Sequence, residues 1–405
     1  MTAVVSEDRK AFGRRVAFYR KKRGYSQTEF AALLDRSETW LSQVERGVRR
    51  IDRMSVLERL AERLDVPLVE LAPDTPVVSA ANQRPAASNT LSLALASSDA
   101  LRAALTTAEP VDVDQLGAEA AQAWDFAHDS RYDELAALLT DLIPDLERAA
   151  RSASGSDLRR VFVARAKVYH AAAAVLAKLG ETGPAWVAAD RAISSAERAD
   201  APLLMAEGAF RLAIVFQGAR RFDLVKRTAQ TAAQALERLV SVGELEAVAL
   251  RGALYLQLAV ASARMNDGDE AYASLEEARR AAVTLGVDRN DYDTEFGPTN
   301  VLLHEVAVAV ELGDAGRALR AAAKADPSQL SPERHARLLI DVARAHVQRR
   351  QLGDVIDSLK QAADVAPQQV ETHGLVRGLM ADLLRGDHAD DPDLRRLAKR
   401  IKITS

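Results

Sequence analysis

The sequence contains no cysteine among its 405 residues. Disulfide frameworks, zinc sites built from thiolates and catalysis by a thiol are therefore excluded together. Aromatic residues make up only 5% of the chain, whereas hydrophobic residues make up 48% and are largely alanine, leucine and valine. Because alanine and leucine are good helix formers while aromatic residues favour strands, this composition predicts an all-α protein. The lack of cysteine also fits a reducing compartment.

Long hydrophobic runs are also lacking. The first ten residues, MTAVVSEDRK, have no apolar stretch of the kind found in signal peptides. The longest apolar runs, such as residues 171–177, fall far short of the roughly 20 residues that a membrane span needs. We therefore expect a soluble, cytoplasmic protein with no membrane partner.

Motifs of known catalytic chemistry are missing as well. The sequence has no Walker-type glycine loop, nucleophile elbow, HExxH motif or paired acids in a recognisable setting. Six histidines show no spacing with carboxylates that defines a metal site. They are His128, His170, His335, His346, His373 and His388. We expect no enzyme activity, no metal and no cofactor.

Length and charge divide the chain into unequal parts. A chain of 405 residues is too long for one ordinary core, so a small domain joined to a larger or elongated one is expected. The net charge is −4, but residues 1–72 carry about +4. The N-terminal part is thus the one suited to face phosphate. The alternative is that this excess of positive charge belongs to an ordinary solvated helix face.

Five short helices are predicted in the first 72 residues. Gly24 ends the first, Ser26 and Glu29 form a capping box for the second, and Ser37 caps the third. The predicted helices are Arg9–Arg23, Ser26–Leu34, Glu38–Arg46, Met54–Leu64 and a last turn, Pro67–Leu71. Residues 73–90 are rich in Pro, Ser, Asn and Thr, which predicts a linker before a second domain at 91–405.

From Leu91 onward, helical patterns come in pairs. The turns inside the pairs recur at roughly 40 to 50 residues: HDSRY (128–132), KLGETGP (178–184), GARRF (218–222), MNDGD (265–269), ELGDAG (311–316) and QLGD (351–354). Each precedes an alanine-rich helix, and small residues let the two helices approach closely. Stretches such as LAKLGETGPAWVAADRA resemble tetratricopeptide (TPR) repeats, which implies an α-solenoid. Plain helical-bundle packing is the alternative.

The stretch from Val16 to Ala72 resembles the XRE family of helix-turn-helix domains, the Cro and phage-repressor type. The matching positions are Arg20, Gly24, Ser26, Gln27, Phe30, Ala31, Ser37, Leu41, Ser42, Glu45, Arg46, Gly47, Leu60, Ala61, Leu64 and Leu68. Ala31 lies where the two motif helices cross, and Phe30, Leu34, Leu41 and Val44 form the apolar side between them. The resemblance implies a sequence-specific DNA-binding transcriptional regulator.

The third helix is then the recognition helix. Its N-terminal residues would read base edges in the major groove, where Glu accepts from cytosine and Gln pairs with adenine. Its outward residues are Glu38, Thr39, Trp40, Ser42, Gln43 and Arg46. By resemblance, Gln27, helped by Thr28, anchors the DNA backbone at the start of the second helix. Arg49, Arg50 and Arg53, in the following loop, are phosphate candidates.

Several positions of the domain have interpretations other than DNA contact. The family places Arg20 and Glu45 face to face as a partly buried ion pair, so both are structural. Trp40 is either a core residue, a clamp over the linker, or a DNA contact. For Glu38, Thr39 and Gln43 the alternative is an ordinary solvated helix face.

A helix-turn-helix domain followed by TPR-like repeats resembles long XRE-TPR regulators of actinobacteria. It also resembles the peptide-sensing (quorum-sensing) regulators of the Rgg, PlcR and PrgX type. The resemblance implies a peptide or small-molecule ligand in the concave groove of the repeats. Polar residues at i, i+4 on first helices are the groove candidates. They are Arg165, Tyr169, Arg251, Tyr255, Asn300 and His304, with Arg211 and Gln217 on the intervening helix. Local hydrogen bonding, such as Asn300 serving the helix start, is the alternative.

The short recognition helix reads no more than a half-site. We therefore expect a homodimer, joined through the repeats, on a palindromic operator in double-stranded DNA. The rival function is an antitoxin-like or scaffold protein whose repeats hold a protein partner, with DNA binding only autoregulatory.

Overall fold

The computed structural model describes residues 7–49, 51, 54–66, 71, 86–95, 105, 112–326, 328, 331–385 and 391–402. The N-terminal helices are α1 (Glu7–Lys22), α2 (Gln27–Leu33), α3 (Glu38–Glu45), α4 (Met54–Leu64) and α5 (Ala86–Leu95). Then follow α6 (Val113–His128), α7 (Tyr132–Ser152), α8 (Gly155–Lys178), α9 (Thr182–Arg198), α10 (Pro202–Gly218), α11 (Phe222–Ala235), α12 (Glu237–Ser241), α13 (Leu245–Arg264) and α14 (Gly268–Leu285). The rest are α15 (Pro298–Glu311), α16 (Ala315–Ala322), α17 (Pro332–Gln348), α18 (Leu352–Val365), α19 (Pro367–Thr372), α20 (Gly374–Arg385) and α21 (Pro392–Arg400). The fold is all-α, as predicted, with no strand in these ranges.

The first four helices begin and end within two residues of their predicted bounds. The Ser26 hydroxyl accepts from the Glu29 N–H while the Glu29 carboxylate accepts from the Ser26 N–H, which is the predicted capping box. Ser37 caps α3 by accepting from the Trp40 N–H at 3.2 Å. Gly24 has a φ of +79°, the left-handed conformation that ends α1. Most of the fifth predicted helix, Pro67–Leu71, lies outside the described residues.

A compact apolar core joins these helices. Phe30, Ala31, Leu41 and Val44 are all at most 1% exposed, so the predicted apolar side of the motif is confirmed. Gly13 lies where α1 crosses the end of α3, and a β-carbon there would lie 2.4 Å from the Glu45 carbonyl oxygen. Only glycine permits this approach, a requirement that the sequence did not reveal.

Five of the predicted helix pairs contact each other as hairpins, namely α6 with α7, α8 with α9, α10 with α11, α13 with α14, and α17 with α18. Helix α16 follows α15 across the sixth predicted turn. Each turn contains one residue in the left-handed region, namely Ser130, Gly180, Arg220, Asn266, Gly313 and Arg350. Two of these six are glycines. The remaining turns therefore hold polar side chains in a conformation that glycine adopts more easily.

Alanines fill the space between neighbouring helices. Ala185, Ala188, Ala189 and Ala192 on α9 are all fully buried. Such side chains allow the close packing of helices that a helical-repeat solenoid requires, and the fold class predicted from the sequence is confirmed. The last residues of the predicted linker, 86–90, begin helix α5.

One helix, α13, is long and apolar enough to cross a membrane by length and composition, although no single apolar run in the sequence suggested it. Within its most apolar window, 78% of the residues are buried inside the protein. Its buried face includes Leu250, Leu254 and Leu258, which belong to the core of the repeats.

Contacts divide the chain into two compact units. The first comprises Met1–Gln83, Gly313–Leu319 and Leu339–Ser405, and the second comprises Arg84–Leu312 and Arg320–Leu338. Inside the first unit, the turn after α1 contacts the end of α17. The Gln348 side-chain amide donates to the Lys22 carbonyl oxygen at 3.3 Å, and Arg350 pairs with Glu29 at 3.3 Å. The first turn of the N-terminal domain, between α1 and α2, thus packs against the last hairpin.

Candidate nucleic-acid interface and ligand site

Helix α3 is fixed to the N-terminal domain by its inner face. Leu41 and Val44 are buried, whereas Glu38, Thr39 and Arg46 are exposed and Ser42 and Gln43 are half-buried. Because residues on opposite faces of a helix separate in this way, the predicted reading side chains share the outer face of α3. The Arg46 side chain folds back to donate to the Ser42 carbonyl oxygen at 3.2 Å.

An ion pair ties α1 to α3. Arg20 Nε lies 2.5 Å from Glu45 Oε1, and Arg20 Nη2 lies 3.1 Å from Glu45 Oε2. The two side chains are 8% and 6% exposed. The predicted Arg20–Glu45 pair is therefore confirmed, and with it the register of α3. Arg20 also donates to the Tyr25 carbonyl oxygen at 2.6 Å, which satisfies a further guanidinium donor.

Two predicted DNA contacts at the start of α2 have partners within the protein. The Gln27 amide donates to Glu45 Oε2 at 2.7 Å. The Thr28 hydroxyl donates to Glu38 Oε2 at 2.8 Å, which joins the first turns of α2 and α3. A phosphate contact from the Thr28 hydroxyl requires an exchange of its hydrogen bond to Glu38, whereas the Gln27 amide has a second N–H that could be donated to a phosphate.

Trp40 is half-buried and packs against the core of the N-terminal domain. The Arg36 guanidinium lies 5.8 Å from its ring centroid. The core interpretation of Trp40 thus holds for part of the side chain. Among the phosphate candidates, Arg49 is exposed beyond the end of α3. Arg50 and Arg53 lie outside the described residues.

Four predicted ligand residues are engaged locally on the hairpins. Arg165 pairs with Glu147 at 2.8 Å, and the Tyr169 hydroxyl donates to the same carboxylate at 2.9 Å. Arg251 pairs with Glu237 at 3.1 Å, and its guanidinium lies 5.4 Å from the Tyr255 ring centroid. Tyr169 and Tyr255 pack in different apolar clusters of the repeats.

The other four predicted ligand residues are buried. The Gln217 amide donates to Gln257 Oε1 at 2.7 Å. Asn300 is 1% exposed, and its side-chain oxygen accepts from Arg334 Nη1 at 3.5 Å. His304 Nδ1 lies 2.9 Å from the Asn300 carbonyl oxygen. Burial, with the nearby Arg334, lowers the pKa of His304 to about 3, so its imidazole is neutral.

Arg211 belongs to a buried polar network that the sequence did not reveal. Its Nη2 donates to the carbonyl oxygens of Tyr292 and Asp293 at 3.2 and 2.8 Å, and it lies 3.4 Å from Glu207 Oε1. The Arg211 guanidinium stacks 4.5 Å from the ring centroid of Trp124. Burial raises the pKa of Glu207 to about 8 despite Arg211, and so favours its protonated form at neutral pH.

A second part of the network surrounds Glu295. Its carboxylate accepts from the Ser331 N–H at 2.9 Å, from the Ser331 hydroxyl at 3.0 Å and from Arg334 Nε at 3.1 Å. His128 lies 3.6 Å from Glu295 and 3.4 Å from Asp293. Burial acts to lower the pKa of His128, but these two carboxylates outweigh it and raise the pKa above its ordinary value.

In the described part of the chain, no group of three or more His, Asp or Glu side chains is placed to hold a metal ion. The networks around Arg211 and Glu295 instead consist of charged donors that face carbonyl and carboxylate oxygens.

Comparisons with known proteins bear on the N-terminal domain. A family model described as a helix-turn-helix domain matches residues 11–73. The uncharacterized HTH-type transcriptional regulator YazB of Bacillus subtilis (strain 168) is 37% identical over 62 residues, which cover 15% of this chain and 88% of that relative. No solved structure matches the chain.

Proposed function

We propose, from the premise that the chain belongs to the helix-turn-helix transcriptional regulators, that a ligand bound by its repeats controls its binding to an operator. The DNA-binding regulator itself follows from that membership. The observation that carries operator binding is the outer face of α3, which the buried Arg20–Glu45 pair holds in register. On this face Thr39 and Gln43 are the base-reading residues, because they lie one turn apart on the outer side of α3.

Phosphate contacts are assigned to the rim of this face. Arg49 follows α3, and Gln27 and Thr28 open α2, where the positive end of the helix dipole favours an anion. Arg50 and Arg53 belong to the same proposed set by their place in the sequence. Such contacts position the domain on duplex DNA and carry little base preference.

Ligand control is assigned to the repeats, which we interpret as TPR-like. Two features support this assignment. Arg211 and Asn300, both predicted as ligand residues, are joined to the buried polar network of the second unit. In the first unit, the turn between α1 and α2 packs against the last hairpin, which offers a path from the repeats to the DNA-binding motif.

We further propose a homodimer on a palindromic operator in a cytoplasmic regulator without catalytic activity. One α3 spans only a half-site, and two-fold dimers place two recognition helices about 34 to 36 Å apart. Light scattering on the full chain tests this point. A monomer at concentrations well above the DNA affinity would contradict the dimer.

The operator is tested by footprinting genomic DNA with the purified full chain, followed by fluorescence anisotropy on the fragment found. We expect Thr39→Ala and Gln43→Ala each to weaken operator binding by about 1 to 3 kcal/mol and to relax base preference. Arg49→Ala should weaken binding to all DNA sequences by the same factor and reduce the salt dependence of that binding. Glu62→Ala, an exposed change on α4, is the matched control. Equal affinity of the α3 variants and wild type would refute the assignment.

A further inference from the structure

The connection between α14 and α15 is unusually long. It runs from Gly286 to Gly297, whereas residues 199–201 suffice to join α9 to α10. Its base is closed twice: the Arg289 N–H donates to the Phe296 carbonyl oxygen at 3.0 Å, and Asp288 accepts from the Thr299 N–H at 2.9 Å. We call residues 289–296 the inserted loop. These two hydrogen bonds set the tip of the loop apart from the two helices that it joins.

The tip is held by its main chain. Arg211 on α10 donates to the carbonyl oxygens of Tyr292 and Asp293, and Arg334 on α17 donates to that of Thr294 at 3.0 Å. Hydrogen bonds to main-chain carbonyls are independent of sequence, so the same two arginines suit any extended peptide.

The carboxylates of the tip are held as well. Asp293 and Glu295 face His128 at the end of α6, and Glu295 also accepts from Ser331 and Arg334. Charge-assisted hydrogen bonds of this kind select acidic side chains. The contacts thus come from the first helices of three hairpins, α6, α10 and α17, which is the set of helices from which a solenoid builds its binding surface.

The tip adopts a strained backbone to make these contacts. Tyr292, Asp293 and Glu295 have φ values of 51°, 54° and 46°, all in the left-handed region and none of them glycine. This conformation is unfavourable for ordinary residues and persists only where the surroundings impose it. A separate peptide that reached the same donors in an extended conformation would avoid this strain.

The tip also leaves donors unused. The indole N–H of Trp124, a residue only 5% exposed, has no hydrogen-bond partner among the described residues. The same holds for Arg211 Nε, whose guanidinium stacks on that indole. Buried donors without acceptors are costly, so an acceptor supplied by a ligand would be favourable here.

We propose that the tip of the inserted loop, residues 290–295, occupies the site of the regulatory ligand, and that this ligand is a short acidic peptide that displaces it. The proposal rests on the proposed function, since it names the ligand of the same repeats. The self-occupied state lowers the apparent affinity for the peptide by the fraction of molecules in which the tip is seated.

The probe is a fluorescein-labelled synthetic peptide with the sequence of residues 290–295. It is titrated against the full chain and against the double variant Asp293→Asn with Glu295→Gln, which weakens the hold on the tip while keeping its shape. We expect the variant to bind the probe at least about tenfold more tightly than wild type, because its site is more often vacant. The control variant Asp223→Asn with Glu276→Gln removes two exposed carboxylates elsewhere in the repeats and should behave as wild type.

A second peptide has Asn and Gln in place of the aspartate and glutamate that correspond to positions 293 and 295. We expect it to bind the double variant at least about tenfold more weakly than the acidic probe does. A variant that retains its helical circular dichroism but binds neither peptide, or both equally, would overturn the proposal. If the double variant loses its helical signal, Glu295→Gln alone is judged by the same criteria.

Hydrogen exchange of wild type gives a measurement that needs no variant. Excess acidic peptide should raise exchange in residues 290–295, and unchanged exchange at saturating peptide would overturn the proposal. Operator affinity is then measured with and without the acidic peptide. Peptide binding without any change in DNA affinity would contradict ligand control, which is the proposed function. It would not contradict the proposal that the tip of the inserted loop occupies the peptide site.

Discussion

The N-terminal domain and the repeats each bury an arginine against a glutamate, with different neighbours. Arg20 and Glu45 both lie on regular helices, and their side chains are 8% and 6% exposed. Arg334 and Glu295 are similarly buried, at 11% and 10%, but Glu295 lies on a loop with three left-handed residues. The same chemistry thus holds two rigid elements together in one region and fastens a strained segment in the other. The role of a buried ion pair therefore depends on whether its residues lie on regular helices or on a strained loop.

The largest expected effect comes from breaking the rigid pair. Glu45→Ala leaves Arg20 buried without its carboxylate and removes the acceptor of Gln27, so we expect a loss of about 3 to 5 kcal/mol in the stability of the N-terminal domain. Hydrogen exchange of α1 to α3 in the full chain measures this loss. Asp35→Asn removes the charge of the exposed Arg59–Asp35 pair while tolerating the left-handed φ of 53° at this position, and should cost under about 1 kcal/mol. Equal effects of the two changes would mean that burial does not distinguish the pairs.

A smaller effect is expected at the base of the inserted loop. In Gly252→Ala on α13, the new β-carbon would lie 2.0 Å from Phe296 Cζ, and we expect such overpacking to cost about 1 to 3 kcal/mol. Gly117→Ala on α6 meets nothing within 4 Å and should stabilise its helix by about 0.5 to 1 kcal/mol. Urea unfolding followed by circular dichroism compares the two. Stabilisation by Gly252→Ala would show that Phe296 is loosely held.

The smallest effect concerns pH. The pKa of Glu207 is raised from 4.5 to about 8 by burial, so the folded state keeps a proton that the unfolded state loses, and stability falls as pH rises between these values. One such proton corresponds to at most about 1.4 kcal/mol per pH unit. Glu207→Gln should therefore lose less stability than wild type between pH 6 and 7, measured by thermal unfolding. Glu276→Gln, at an exposed position, should keep the wild-type slope, and an equal slope in Glu207→Gln would contradict the assignment.

Local rules allowed much of the molecule to be predicted from its sequence. Ser26, Glu29 and Ser37 act on N–H groups no more than three residues away, so their caps follow from spacing alone. The hairpin turns were predictable for the same reason, even where Ser130 or Arg220 takes the left-handed position. The Arg20–Glu45 pair spans 25 residues and came from the family resemblance.

The inserted loop could not be predicted by such rules. In sequence, DRNDYDTEF is an ordinary polar connection, and its role depends on Arg211 and His128, which precede it by about 80 and 165 residues. Asn300 was singled out for its place in a polar stripe, yet its partner Arg334 lies 34 residues further on. Gly13 shows the same limit, because its need for a missing side chain arises only where α1 crosses α3.

Some of the residues that contact the inserted loop are synthesised before it, and others are synthesised after it. His128, Trp124 and Arg211 leave the ribosome before Tyr292, so the donors on α6 and α10 exist first without the tip. Ser331 and Arg334, which hold Glu295, follow about 36 residues after it. For that interval a nascent chain presents the donors of α6 and α10 while the fastening of the tip is still incomplete. A peptide present during translation would therefore meet less competition than one that encounters the finished protein.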